Sequence, residues 1–415
     1  MGEHLRTPTA SVPTESAPAA SAQMKSLPEA PKSRFLAPSS LRRITTSGGY
    51  IPEIDGLRFV AILVVVLYHV PIQIAIRSQE EVASNPFWQL IGKGSRGVEL
   101  FFLISGFILG LPFAAHLLKG KKAVRLGQYY LRRVTRLEPP YMLVILLRLP
   151  LLIVVMHKAL RDTVLHGVAT LLYMHGFVFG RGSTISPPTW SLEIEIQFYC
   201  LAPLFAWSYF SLRPVWLRRL AGFLFIIAAG VLQTHFLILD QESRLTLSIL
   251  NYVQYFFSGF ILCDLFLVDW DRIPKHWAWD AISALAWSWI FVVEGNQMHI
   301  LLPLVTLVAY VGAFKGVLFR GFFRLTWISL VGGMCYSIYL THGLAIAGTD
   351  VLLRKVLASP RINEWEGASI AFAVSILASF AVGLVLYVLI ERPCMDKDWP
   401  VMLWRRLRNR DAVNM

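Results

Sequence analysis

Apolar runs of about 20 residues, each long enough to cross about 30 Å of hydrocarbon, recur along the whole sequence. They occur at residues 57–76, 98–117, 139–157, 191–210, 220–239, 247–268, 277–293, 299–316, 326–347 and 369–391. Hydrophobic residues make up 55% of the 415 residues and charged residues 16%, a composition that fits membrane spans better than soluble domains. The sequence therefore predicts an all-α polytopic integral membrane protein with about ten transmembrane helices.

The two ends of the chain and one short segment differ from these runs. Residues 1–50 are rich in Pro, Ala, Ser and Thr, and they lack the apolar core of a signal peptide, so we expect a disordered cytoplasmic tail. Residues 51–393 form the predicted membrane domain, and residues 394–415 form a short basic cytoplasmic tail. The apolar stretch 164–180 is shorter than a span and holds two histidines, which favours a surface or re-entrant helix.

The basic residues predict the orientation of the chain. The formal net charge is +13, but the 39 Lys and Arg residues stand in short clusters between apolar runs, which argues against nucleic-acid binding. With the N-terminus inside, 27 of them fall in inside segments and 10 in outside loops. This excess predicts a multi-pass protein of the cytoplasmic (inner) membrane with both termini cytoplasmic. The four cysteines are scattered singly, so we expect neither a metal site nor a permanently bound cofactor.

Two ionisable residues interrupt the first span, in DGLRFVAILVVVLYHV. Arg58 lies near its inner end and His69 in its outer half, and such residues are costly inside a bilayer unless they have a partner or a function. From Arg58 to His69 a helix rotates by about 1100°, only about 20° more than three full turns. Both side chains therefore project from one face of the helix, about 16 Å apart along its axis. Taken singly, Arg58 fits a snorkelling anchor and His69 an interhelical hydrogen bond, but together they can line one cavity.

Polar residues recur in the outer half of three other predicted spans. These are Glu99 in the second span, Trp190, Ser191 and Glu195 in the fourth, and His342 in the ninth. A carboxylate within reach of a histidine fixes its tautomer and raises its basicity, which suits a general base. Glu99 alone fits a helix N-terminal charge and His342 alone an interface residue, but polar insertions at one depth favour a shared site.

Arginines cluster at the inner level, between the second and third spans. Arg132 and Arg136 share a helix face, as do Arg133 and Arg136, and guanidinium groups bind phosphate oxygens in bidentate fashion. An ordinary cytoplasmic basic loop or an anionic-lipid patch explains the same charges. Arg148, inside the third span, requires a cavity or a partner that the sequence does not identify.

Six motifs, in this order along the chain, resemble those of the membrane-bound acyltransferase-3 family, which comprises polytopic O-acyltransferases of cell-surface polysaccharides and related glycosides. They are IDGLR-x10-H at Ile54–His69, GVELFFLISGFIL at Gly97–Leu109, RRVTRLEPPY at Arg132–Tyr141, PTWSLEIEIQFY at Pro188–Tyr199, YSIYLTH at Tyr336–His342 and ERP at Glu391–Pro393. The resemblance implies a ten-helix domain that transfers an acyl group, often acetyl, from cytoplasmic acyl-CoA as co-substrate to a hydroxyl of a carbohydrate acceptor.

The resemblance also implies roles for individual residues. Arg58 and His69 match the family's essential Arg-x10-His pair, and Arg133 and Arg136 match the element thought to hold the CoA phosphates. The WSLxxExxFY element is matched by Ser191, Glu195, Phe198 and Tyr199.

Three positions depart from the family pattern. Glu99 stands where Asp is common, Ile196 replaces a frequent second Glu, and Gly343 follows His342 without the nearby Pro often seen.

We therefore expect three catalytic residues, His69, Arg58 and Glu195. The expected acyl-CoA-binding residues are Arg132, Arg133, Arg136 and Arg58, and the expected supporting residues are Glu99, Ser191, Trp190, Tyr199, Arg148 and His342. His69 would take the proton from an acceptor hydroxyl, with Glu195 or Glu99 orienting its imidazole, or His69 would itself be acylated.

The acceptor and the class of activity have alternatives at this stage. The favoured acceptor is a cell-envelope polysaccharide or its lipid-linked precursor, and a secreted small-molecule glycoside is the alternative. A transporter or flippase of an envelope glycan would also place Arg and His residues in spans, along a substrate or proton path. The oligomeric state is not predicted.

Overall fold

A computed structural model describes residues 41–44, 50–74, 86–237, 244–295, 298–357, 364–396 and 399. In these residues the regular structure is helical, and no strand occurs. The main helices are α1 (Pro52–Ile74), α2 (Gly97–Lys119), α3 (Leu126–Pro150), α4 (Leu160–Leu171), α5 (Trp190–Phe210), α6 (Val215–Leu232), α7 (Val253–Val268), α8 (Ala278–Val292), α9 (Met298–Lys315), α10 (Thr326–Gly333), α11 (Cys335–Leu357) and α12 (Glu364–Leu386). Short helices lie at Pro86–Gly92, His175–Phe179, Leu318–Phe323 and Arg392–Cys394. The predicted all-α fold is confirmed.

Six helices in the described ranges are long and apolar enough to cross a membrane. They are Pro52–Pro71, Gln89–Lys119, Leu126–Val155, Val215–His235, Met298–Lys315 and Glu366–Cys394. The pair α10 and α11, bent by 70° at Met334, makes a seventh span if it crosses as one unit, while α7 and α8 are apolar but shorter. Helix α5 has 21 residues, but it carries Glu193 and Glu195 near its start. Nine of the ten predicted spans thus overlap one helix each, and the span 326–347 is divided between α10 and α11. The protein is a polytopic membrane protein.

Glycines allow the helices around the site to approach closely. Helices α2 and α7 cross where a Cβ on Gly106 would overlap the Phe256 carbonyl oxygen and a Cβ on Gly259 would overlap that of Leu103. Helix α10 meets the start of α1 in the same way, because a Cβ on Gly332 would overlap the Asp55 carbonyl oxygen. Small residues at such crossings allow van der Waals packing in a membrane, where helices gain no hydrophobic drive to associate.

Two segments differ from the sequence prediction. The basic cluster at Arg132–Arg136, expected between spans, lies inside α3, which begins at Leu126 and runs through the two prolines of its motif. The stretch 164–180 is not one helix: α4 ends at Leu171 and the short helix His175–Phe179 follows. Twelve residues of helix reach only about 18 Å, so α4 is too short to cross the bilayer.

The predicted terminal tails lie largely outside the described residues. Residues 41–44 are described, and they pack against the end of the membrane domain. Tyr387 donates a hydrogen bond to the Leu41 carbonyl at 3.2 Å, and Arg392 Nε donates one to the Arg42 carbonyl at 3.2 Å. This part of the predicted tail is therefore held in place.

Candidate functional site

Two histidines from different helices lie side by side. The imidazole rings of His69 on α1 and His342 on α11 have centroids 4.8 Å apart and planes at 65°. His69 Nδ1 contacts the Val65 carbonyl oxygen at 2.8 Å, and because a carbonyl can only accept, this nitrogen carries the proton and Nε2 is left as the acceptor. His342 is fully buried, and its Nδ1 donates to the Tyr339 carbonyl at 2.7 Å.

The second ring nitrogen of His342, Nε2, is buried and has no hydrogen-bond partner. A buried polar atom without a partner is costly, and in native proteins it calls for an explanation such as a bound molecule or a catalytic role. The pair was only partly expected: the sequence placed both histidines at one depth but did not predict their contact.

A hydroxyl network connects His342 to the start of α5. Tyr339 donates its hydroxyl to the Pro188 carbonyl at 2.6 Å, and its oxygen lies 2.6 Å from Ser191 Oγ. Trp190, the first residue of α5, packs on Tyr252 with ring centroids 5.6 Å apart. Ser191 therefore contacts Tyr339, which packs on His342, while Trp190 packs on Tyr252; their supporting role stays a prediction.

Arg148 contacts the same region from α3. Its Nη1 donates to Ser186 Oγ at 3.2 Å, and a Cβ on Gly343 would lie 3.9 Å from that nitrogen. The partner that the sequence did not reveal is thus a serine just ahead of α5, and the arginine charge lies next to the residue that follows His342.

The two predicted carboxylates lie apart from the histidine pair. Glu195 Oε1 accepts hydrogen bonds from Ser105 Oγ and from the Tyr199 hydroxyl, both at 2.6 Å. The carboxylate also attracts the Arg58 guanidinium. Glu195 and Tyr199 line a small cleft together with Leu137, Tyr173, Leu192, Ile196 and Tyr336.

Glu99 has a different environment from Glu195. Its Oε2 is buried without a partner, and the guanidinium of nearby Arg96 donates to the carbonyls of Ile290 and Val293. The prediction that Glu195 or Glu99 orients the His69 imidazole is wrong for this structure, because the backbone of α1 supplies that contact through Val65. The histidine ring bonds to the backbone carbonyl of the residue four positions earlier in its own helix.

Arg58, Arg133 and Arg136 lie at the opposite end of the site from the histidine pair, and we call these three residues the arginine cluster. Arg58 Nη1 donates to Asp55 Oδ1 at 2.6 Å, and Arg136 Nη2 lies 3.7 Å from Glu391 Oε1. Arg133 stacks its guanidinium 3.6 Å above the Tyr129 ring. The Nε atoms of Arg133 and Arg136 are buried without partners.

Arg132 does not belong to the arginine cluster. Its side chain is exposed, although it lies next to Arg133. Of the four arginines predicted to bind phosphate, Arg58, Arg133 and Arg136 are thus partly buried and Arg132 is exposed, and the phosphate role of all four stays a prediction.

Several residues of the site were missed although each lies in a quoted motif. Asp55 and Ser105 partner Arg58 and Glu195, while Ser337 donates to Glu391 Oε2 through both its amide and its hydroxyl. The motifs YSIYLTH and ERP thus contact each other. Asking which partner each motif residue needs would have pointed to these residues, since buried charges require paired or hydrogen-bonded neighbours.

The histidines of the 164–180 stretch form a separate pair. His166 Nδ1 lies 2.8 Å from His175 Nε2, and the following Gly176 amide donates to Glu193 Oε2 at 2.8 Å. Burial lowers the pKa of His175, which begins a short helix outside the spans. These contacts dock the short helix His175–Phe179 on α4 and on α5.

An all-helical membrane domain that carries a histidine pair at one level and inward-facing arginines at another has the features of a membrane-bound transferase. The sequence profile of the acyltransferase domain family matches residues 51–388 of this chain. The chain therefore belongs to this family of membrane acyltransferases.

Similar proteins agree with this assignment. The chain is 26% identical over 365 residues to a Komagataeibacter xylinus protein that carries the name "Putative membrane-bound transacylase BcsY", with 83% of each chain covered. It is 24% identical over 377 residues to the O-acetyltransferase OatA of Staphylococcus aureus, covering 84% of this chain but 58% of that protein. The peptidoglycan O-acetyltransferase OatA of Listeria monocytogenes is 28% identical over 166 residues, covering 38% of this chain and 24% of its own. No solved structure matches the chain.

Proposed function

We propose that this acyltransferase moves an acyl group, acetyl in the first instance, from cytoplasmic acyl-CoA to a hydroxyl of a carbohydrate. The acceptor is a cell-envelope polysaccharide or its lipid-linked precursor. Two relatives named as O-acetyltransferases, one of them specified for peptidoglycan, support the acyl group and the acceptor class. The observation that carries the proposal is that Arg58 and His69 share one face of α1, with arginines around the first and a second histidine beside the other.

The reaction follows from this arrangement. Arg58, Arg133 and Arg136 bind the phosphates of CoA, because guanidinium forks pair with phosphate oxygens. The pantetheine arm spans the distance of about 16 Å to the histidine level. His69 Nε2 removes the hydroxyl proton of the acceptor as its oxygen bonds to the thioester carbon. The carbon–sulfur bond then breaks, and the CoA thiolate takes the proton from His69.

This mechanism requires the arginines to face the cytoplasm, where acyl-CoA is made. We accordingly place the protein in the cytoplasmic (inner) membrane of the cell with both termini inside. The charge distribution, 27 basic residues inside and 10 outside, supports this orientation. The histidine pair then lies in the outer half of the membrane, where an exported glycan is within reach.

The test uses purified protein with radiolabelled acetyl-CoA and isolated envelope glycan. We expect label in the glycan and release of free CoA. A His69→Ala variant should stay folded in detergent but transfer no label, and His276→Ala, at an exposed histidine, is the control that keeps transfer. Normal transfer by His69→Ala would overturn the assignment of the base. Glycan movement across proteoliposomes without CoA release would identify a transporter instead.

The same assay separates two routes of acyl transfer. If His69 acts as a general base, acetyl-CoA and glycan must both be bound before CoA is released. If His69 is itself acylated, CoA is released without glycan and the kinetics are ping-pong. The proton on His69 Nδ1 leaves Nε2 free for either role, and a stoichiometric burst of CoA would select the second.

A further inference from the structure

Arg43 lies ahead of the part of the chain that matches the family, but its side chain reaches the arginines at the start of α1. The family match begins at residue 51, eight residues later in the chain. The side chain of Arg43 is only 13% exposed, and its Nη1 donates to Asp55 Oδ1 at 3.1 Å. The segment that carries it is held at Leu41 and Arg42 by hydrogen bonds from the end of the domain. Arg43 is thus fixed in place rather than drawn in from solvent.

Arg43 and Arg58 share a single carboxylate oxygen. Arg58 approaches Asp55 Oδ1 more closely, at 2.6 Å, than Arg43 does. Asp55 is buried, so its one negative charge faces two arginines at the start of α1. The neighbouring carboxylate of Glu53 forms ion pairs with Arg320 and Arg324, at 3.1 and 3.7 Å, and so does not balance the charges of Arg43 and Arg58.

A third arginine adds to this imbalance. Arg136 repels the charge of Arg43, and its own carboxylate, Glu391, lies 3.7 Å away, beyond hydrogen-bond distance. Glu195 also attracts Arg58, and Arg133 lies close enough to repel Arg136. The four positive charges of Arg43, Arg58, Arg133 and Arg136 therefore face three negative charges, those of Asp55, Glu195 and Glu391. Burial, followed by repulsion from Arg136 and Arg58, lowers the pKa of Arg43 to about 10, and it remains charged at neutral pH.

The unsatisfied atoms of the cluster favour an anion. The Nε atoms of Arg43 and Arg136 are buried without hydrogen-bond partners. Uncompensated buried charge is costly, and planar guanidinium groups satisfy it best with carboxylate or phosphate oxygens. A phosphate bound among these arginines would neutralise the excess positive charge. Arg43 could then bind the phosphate, while Asp55 stayed paired with Arg58, its closer partner.

We propose that Arg43, with Arg58 and Arg136, binds a phosphate group, and that this phosphate belongs to the nucleotide part of acyl-CoA. The inference rests on the proposed function for the identity of the donor. It adds to the domain a phosphate-binding residue supplied by the segment ahead of it. The phosphate of an anionic lipid offers the same chemistry, and the test separates the two sources.

The kinetic test compares acetyl-CoA with S-acetyl-pantetheine, which has the same thioester but no phosphate. We expect Arg43→Ala to raise KM for acetyl-CoA about tenfold, the effect of one lost charge-assisted hydrogen bond. Its kcat and its rate with S-acetyl-pantetheine should match those of the unaltered protein. Arg42→Ala is the matched control, since it removes the same charge from the adjacent, exposed residue. Arg43→Lys, which keeps the charge without the fork, should lie between the two.

The outcomes that overturn the inference are distinct from a failure of the proposed function. An unchanged KM in a folded Arg43→Ala protein, or an equal loss with both thioesters, would leave Arg43 as a partner of Asp55 only. Thermal stabilisation by phosphatidylglycerol that disappears in Arg43→Ala, with CoA affinity unchanged, would assign the phosphate to lipid and reject the nucleotide. If the unaltered protein neither binds acetyl-CoA nor releases CoA, the proposed function fails, and the Arg43 inference fails with it.

Discussion

His69 has its tautomer set by its own helix. The hydrogen bond from Nδ1 to Val65 leaves Nε2 as the acceptor, so no carboxylate is needed to prepare a base. The neighbouring imidazole of His342 brings a second lone pair, because its Nδ1 is also bound to a carbonyl and its Nε2 has no partner. The two rings pack edge to face with centroids 4.8 Å apart, so this second acceptor lies next to His69.

His342→Ala tests the contribution of this neighbour at the residue scale. We expect kcat to fall about tenfold or more with KM for acyl-CoA unchanged, because the substitution removes the imidazole that packs against His69 but leaves Arg58, Arg133 and Arg136 in place. Steady-state kinetics on the purified variant measures the effect. His276→Ala, which alters an exposed loop histidine, should leave both constants unchanged. A rise in KM with an unaltered kcat would place His342 in substrate binding instead.

Glu195 accepts two hydrogen bonds from neighbouring hydroxyl groups. Glu195→Ala removes the shared acceptor of the Ser105 and Tyr199 hydroxyls, and leaving such groups unpaired costs about 1–3 kcal/mol of stability. Thermal unfolding in one detergent should show a lower midpoint than that of the unaltered protein. Glu195→Gln keeps an oxygen acceptor and should recover most of the loss. Equal midpoints for all three proteins would mean that these hydrogen bonds do not stabilise the fold.

At the scale of elements, the sequence predicted more of the helices than of their contacts. Apolar length was sufficient to locate the helices that include Arg58 and His69, and helical phase was sufficient to place those two on one face. The start of α3 was not predicted, because the polar residues from Leu126 to Arg136 lower its hydropathy although they are helical. The 70° bend between α10 and α11 was also not predicted; it follows directly after Gly332, which packs against α1, a tertiary contact that apolar length does not reveal.

The crossing of α2 and α7 gives a prediction at this scale. Gly106→Ala should destabilise the protein by about 1–3 kcal/mol, because the added methyl group would overlap the Phe256 carbonyl oxygen in a packed crossing. Gly127→Ala is the matched control: it lies in α3 with open space around it, and alanine favours a helix by about 1 kcal/mol over glycine. The unfolding midpoint should fall for the first variant and not for the second. A lowered midpoint for both would show that the effect is not specific to the crossing.

At the scale of the whole molecule, the site is assembled from motifs far apart in the chain. Ser337 and Glu391 join the last two motifs, and His69 meets His342 across most of the domain. Motif order indicated the family before any contact was known, because each motif has a recognisable local sequence. The pairings were not predictable in the same way. Asp55, for example, has Arg43 as a partner only because residues 41–44 fold back on the domain.

The orientation of the molecule gives the last prediction. Helix α3 and its continuation run through 30 residues from Leu126 to Val155, about 45 Å, so exposed Lys122 and Lys158 at its two ends should lie on opposite sides of the membrane. In a protein whose four native cysteines are replaced, Lys122→Cys should react with a membrane-impermeant maleimide only after the cells are permeabilised. Lys158→Cys should react in intact cells. The two variants remove the same charge, so a difference in labelling reports the side alone. The reverse pattern would put the arginine cluster outside, away from cytoplasmic acyl-CoA, and would reject the proposed direction of transfer.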